Sequence, residues 1–158
     1  MLSRAITPVC NRGGMTTSGD PFDLKRFVDA QDPIYHSVVV ELRSGRKRTH
    51  WMWFVFPQLC GLGHSPAADY YGISSAAEAR AYLDHDVLGP RLRECTRLVI
   101  QVQGRSIDEI FGWPDNLKLR SSMTLFARAA ADNEDFVALI ARYYGGKQDP
   151  ATLARLDG

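Results

Sequence analysis

An all-α, compact single-domain bundle of short and medium helices is what this sequence predicts, and three observations carry the prediction. Helix-capping signals recur along the chain, as Asp20-Pro21, Asp32-Pro33, Ser65-Pro66, Ser75-Ala76-Ala77-Glu78 and Ser106-Ile107-Asp108-Glu109. Apolar residues between them return at three- and four-residue intervals, the period of a helix with one buried face. Glycine or proline closes most of these stretches.

Taken in order, residues 1–19 contain Arg4, Pro8 and Arg12, which interrupt any apolar run long enough for a secretory signal. They read as a disordered tail before one helical domain of residues 20–158. Met15 opens a second plausible start, which makes residues 1–14 an extension outside the fold. A first helix spans about Phe22 to Ala30 and buries Phe22, Leu24, Phe27 and Val28. A second runs from Pro33 to Arg43 and stops at Gly45. Valines at 38–40 favour a strand locally, but caps and apolar spacing favour the helix. The aromatic run His50 to Leu59 reads as a helix to Phe56, ended by Pro57. A glycine-punctuated loop, Cys60 to Pro66, precedes a short helix that reaches Tyr71.

Ser75 then opens a helix to Asp84, and Val87, Leu88, Leu92, Cys95, Leu98 and Val99 mark a long amphipathic helix to about Val102. Ser106 opens a short helix that Gly112 ends. Leu119, Met123, Phe126 and Ala130 form the stripe of the next, which starts near Asp115. Two more, Asn133 to Tyr144 and Pro150 to Leu156, complete the chain.

Composition narrows the function classes. A 158-residue chain hides roughly 70% of the surface that its unfolded form exposes, so its core needs no metal or disulfide. A formal net charge of +1 provides no general attraction to nucleic acid or to an anionic membrane. Cys10, Cys60 and Cys95 are odd in number and far apart, and they read as reduced thiols of a cytoplasmic protein. His36 and His85 are isolated and no H-x-x-x-H spacing occurs, so neither a metal nor any other cofactor is implied.

Two constellations remain as candidate sites. In the first, Trp51 and Trp53 offer flat faces for a ring, and His50, Gln58, His64 and Ser65 carry groups that orient it. The alternative is that the tryptophans fill the core and His50 satisfies a buried carbonyl. Gly61-Leu62-Gly63 lacks the third glycine and preceding strand of a dinucleotide fingerprint. In the second, Asp115, Lys118, Ser121 and Ser122 share one flank of a helix, where a lysine and hydroxyls near helix N–H groups hold a phosphate. Its alternative is an exposed ion pair with serines bonding backbone carbonyls. The basic run Arg46-Lys47-Arg48 reads as a solvated turn that steers an anion toward His50.

The H-W-M-W-F-V-F-P-Q-L run, the G-L-G-H-S loop, E-A-R-A-Y-L with V-L-G-P-R-L, and D-N-L-K-L-R-S-S-M-T-L-F together resemble a bacterial family of small all-helical proteins of unknown function. The resemblance covers about Phe22 to Tyr144 and implies a multihelical single domain with no reaction attached. The family is often labelled calpastatin. A protease inhibitor of that name works through disordered segments, whereas this chain carries an aromatic core, so the label is not credited. More distantly, the helical build is similar to hydrolases of ADP-ribose N-glycosidic bonds. Such a reaction needs a carboxylate to activate water, and Asp115 or Asp69 is the candidate.

The expected function is a pocket that binds a small anionic, ring-containing, nucleotide-like metabolite. Trp51 or Trp53 stacks the ring, and Lys118 with Ser121 or Ser122 holds the phosphate. Two other readings stand beside it. One is hydrolysis of an N-glycosidic bond with Asp115 as base. The other is a protein-binding module with an exposed patch of Trp51, Trp53 and Tyr71.

Overall fold

Polar caps and apolar spacing give rise to ten helices across residues 19–157, the part of the chain that the computed structural model describes. In order they are α1 (Lys25–Gln31), α2 (Tyr35–Arg43), α3 (Met52–Val55), α4 (Pro66–Tyr70) and α5 (Ala76–Asp84). Then come α6 (Leu88–Gln101), α7 (Ile107–Phe111), α8 (Asp115–Ala129), α9 (Glu134–Tyr144) and α10 (Pro150–Asp157). The only ladder-type pairing among the described residues is a single parallel bridge between Leu59 and Ile73.

The α8 helix is the axis of the bundle. It packs against α5, α7, α9 and α10, while α6 lies against α2, α5 and α9, and α1 lies against α3. Its stripe of Leu119, Met123 and Phe126 is fully buried, as the spacing requires. Ser121, Ser122 and Thr124 are buried too, because neighbours cover the middle of this helix, residues 121–127, on every side. Ser121 and Thr124 donate back to the carbonyls of Leu117 and Arg120, at 3.3 and 2.8 Å, which lets hydroxyls enter the core.

Several starts differ from expectation, each for a local reason. Asp20 accepts from the backbone N–H groups of Leu24 and Lys25 at 2.7 and 3.0 Å, so α1 begins after an intervening turn rather than at Phe22. Asp32 does not cap α2. It follows α1 directly, pairs with Arg91 at 2.9 Å, and leaves α2 to begin at Tyr35. Ser75 caps α5 by accepting from the N–H of Glu78, but the glutamate does not reach back to it. Its carboxylate accepts from the N–H and hydroxyl of Ser74 and meets Arg26 at 2.9 Å, a pair wholly sealed from solvent. Ser106 and Glu109 do form a complete capping box, and Ser65 caps α4.

Two positions show how closely elements approach. Gly89 lies in the first turn of α6, where an added Cβ would stand 2.1 Å from the Leu83 carbonyl oxygen, so only glycine lets α6 close onto the end of α5. At Gly61, with φ +93°, an added Cβ would stand 2.2 Å from the Arg155 guanidinium, which donates to the Cys60 carbonyl and ties α10 to the loop.

Cys95 is buried and free, whereas Cys60 is disulfide-bonded, which corrects the reduced-thiol reading at that residue. Cys10 and, apart from Gly19, the whole tail of residues 1–19 lie outside the described residues. Among the described residues, no helix is long and apolar enough to cross a membrane.

Candidate functional site

The aromatic segment and the start of α8 are far apart in sequence, yet they meet. The Gly45–Arg48 turn follows α2, and the Lys47 N–H donates to the Ile110 carbonyl at 2.7 Å, docking the turn on the end of α7. From there the Lys47 ammonium reaches the Asp115 carboxylate at 2.8 Å and lies 5.1 Å from the centre of the Trp51 ring. Lys118, one turn along α8, approaches the other Asp115 oxygen at 3.8 Å and stands 5.3 Å from the centre of the Trp53 ring. Two lysines thus share one carboxylate, each over a tryptophan. The excess positive charge sits on Lys118, whose contact is the longer.

Beside Lys118 runs an open groove of about 260 Å³, lined by Gln58, Leu62 and Gly63 from the loop after the aromatic segment and by Pro114, Leu117 and Ser121 from α8 and its start. Asp149 and Ala151 complete the lining. Asp149 is already committed: its Oδ2 accepts from the hydroxyls of Ser121 and Thr152 at 2.8 and 2.6 Å and from the Thr152 N–H at 3.2 Å. The groove therefore presents an ammonium, the amide residue Gln58, the Asp149 carboxylate at the α10 start and apolar walls.

The other expected site residues divide clearly. Trp51 is in the core at 1% exposure and donates its indole N–H to Glu41 at 2.9 Å, so it supports the site from beneath and is not free to stack a ring. With Trp51 buried and Trp53 and Tyr71 half-buried, the exposed patch expected of a partner-binding module does not form. Ser122 is fully buried with an unpartnered hydroxyl, out of a ligand's reach. His50, His64 and Ser65 are exposed and do not line the groove. Asp69 sits half-buried on α4, likewise outside it. Trp53, Gln58, Lys118, Ser121 and Asp115 are brought together.

Sequence reasoning missed Lys47, Trp113, Leu117 and Asp149. The Arg46-Lys47-Arg48 run predicts a solvated turn, but the Lys47 side chain is only 7% exposed. Arg46 and Arg48 do face water. Trp113 is 79% exposed in the α7–α8 loop, a position that no spacing rule distinguishes from a core tryptophan. Among the described residues, no group of three or more His, Cys, Asp or Glu side chains is placed to hold a metal ion.

A family model described as a protein of unknown function (DUF1810) matches residues 21–156. Among solved structures, the chain is similar to the crystal structure of the conserved hypothetical protein Rv1873 from Mycobacterium tuberculosis. The TM-score is 0.87 and the identity 73%, over 88% of this chain and 99% of that one. No curated protein matches.

Proposed function

We propose that this chain, which belongs to the DUF1810 family of proteins of unknown function, binds a small ring-containing anion of nucleotide-like chemistry in the groove beside Lys118. The observation that carries the reading is the seating of Lys118 against Trp53 and Asp115, which joins both candidate segments at one concavity. Lys47 neutralises Asp115 at close range, so the Lys118 ammonium is the group left to meet a phosphate. Leu62, Pro114 and Leu117 supply apolar surface for the ring, Gln58 supplies hydrogen bonds, and Trp53 backs the Lys118 ammonium.

Hydrolysis with Asp115 as base is supported less well, since both of its oxygens face lysine ammonium groups and it does not line the groove. A partner-binding reading draws support from Trp113 and Leu117, 79% and 49% exposed four residues apart at the start of α8.

Thermal-shift measurements with AMP and ADP-ribose test the proposal. A ligand at about 100 times its Kd adds about 2.7 kcal/mol to stability, a readily visible rise in Tm. Lys118→Ala removes the rise while leaving the unliganded Tm close to that of the parent. Absence of a shift with any phosphate-bearing compound at millimolar concentration refutes it.

A further inference from the structure

The groove beside Lys118 has a basic neighbour across the Lys47–Asp115 pair. A concavity of about 430 Å³ is lined there by Arg46, Lys47, Arg105, Asp108 and Gly112. Arg105 is held in place by the turn itself. Gly45 has φ +77°, and an added Cβ would stand 3.1 Å from the Arg105 Cδ, so the absence of a side chain at Gly45 lets the arginine stem lie across the turn that carries Arg46.

Two carboxylates share this lining, each held by a neutral donor. Asp108 accepts from the Asn116 amide at 2.6 Å, and Glu109 accepts from the Ser106 N–H at 2.8 Å within its capping box. Neither Arg46 nor Arg105 forms an ion pair among the described residues. Two guanidinium groups therefore face one concavity without a contact ion pair, alongside the Asp108 and Glu109 carboxylates and next to Lys47, whose Asp115 partner also meets Lys118 of the first groove.

We infer that Arg46 and Arg105 form a second anion subsite, and that the ligand is a nucleoside carrying two or more linked phosphoryl groups rather than a monophosphate. This rests on the reading above, in which Lys118 holds the first phosphate. The Lys47–Asp115 pair separates the subsites and presents no net charge to a chain of phosphates crossing it. Guanidinium forks match phosphoryl oxygens in geometry as well as charge.

Calorimetric titration of AMP and ADP into the full chain tests the inference, with the Arg46→Ala/Arg105→Ala double variant and with Arg80→Ala as a charge control on α5. The parent is expected to bind ADP about tenfold more tightly than AMP. The double variant is expected to bind both alike, with AMP affinity unchanged, and the control to keep the parent's ratio. Both arginines are exposed, so the double variant should melt as the parent does. Equal affinity of the parent for AMP and ADP overturns the second subsite while leaving the Lys118 reading intact. Equal weakening of both ligands in the double variant overturns it as well, because general charge then explains the loss. Failure of the parent to bind either nucleotide removes the Lys118 reading and this inference with it.

Discussion

Glu41 should govern both the stability of this domain and the seat of its aromatic segment. One carboxylate oxygen accepts from the N–H groups of Arg48 and Thr49 and from the Trp51 indole at 2.8, 3.2 and 2.9 Å; the other accepts from the Thr49 hydroxyl at 2.7 Å. Burial works to push its pKa up, but hydrogen bonds from the Thr49 hydroxyl, the Arg48 N–H, the Trp51 indole and the Thr49 N–H outweigh it, holding the carboxyl below 4.5. A depressed folded pKa means that the stabilisation is full above the ordinary glutamate range. It is lost as pH falls below 4.5 through the folded value.

Glu41→Ala strands the indole N–H in the core, at about 1–3 kcal/mol for a buried donor, and removes bonds to a charged acceptor. The Arg48 and Thr49 amides reach water, so we expect a total of about 3–4 kcal/mol. Glu41→Gln keeps one oxygen for three donors and loses only charge assistance, about 1–2 kcal/mol. Urea unfolding followed by tryptophan fluorescence at about pH 7 and about pH 3.5 measures both. The gap between parent and Glu41→Gln should narrow in acid. The reasoning fails if Glu41→Ala lies within about 1 kcal/mol of the parent, or if acid leaves the gap unchanged.

Arg26→Met removes the guanidinium paired with the wholly buried Glu78 carboxylate and should cost about 3–5 kcal/mol by denaturant titration, with Arg26→Met/Glu78→Met recovering part of the loss; a single-variant cost under about 1 kcal/mol contradicts this. Gly89→Ala drives a Cβ to 2.1 Å from backbone at Leu83, so the α5–α6 contact must open. A stability loss of about 1–3 kcal/mol in thermal melts is expected, and an unchanged Tm rules the clash out. Burial pushes the Cys95 thiol up to about 12, aided by nearby Glu94 and opposed by the Tyr35 hydroxyl, so native protein should resist iodoacetamide at Cys95 near pH 8 and react there only once unfolded. Rapid native labelling of Cys95, read by mass spectrometry, would show that the thiol is not sealed.

The candidate site was half legible in the chain. Trp53, Gln58 and Lys118 were identifiable because polar groups adjoining an aromatic run, and a lysine flanking an apolar helical stripe, are local patterns. The rest depended on which face of each residue turned inward. Trp51 and Trp53 are two residues apart in a single helical turn, so they point in different directions, one to Glu41 in the core and the other to Lys118. Lys47 looks like Arg46 and Arg48 on either side of it, and only the approach of α8 with Asp115 takes it out of water.

By itself the sequence determined where helices form and end, since caps, glycines and apolar periods act over one or two turns and need no distant partner. Ser106 with Glu109, Ser65 before Pro66, and Gly112 after Phe111 all work this way. The tertiary structure decided what the polar groups do. Glu78 left its capping role for Arg26, Asp32 left its own for Arg91, and Asp115 became the meeting point of two lysines. A charged group takes the partner that desolvation leaves within reach, and that partner is fixed only when helices remote in the chain pack together.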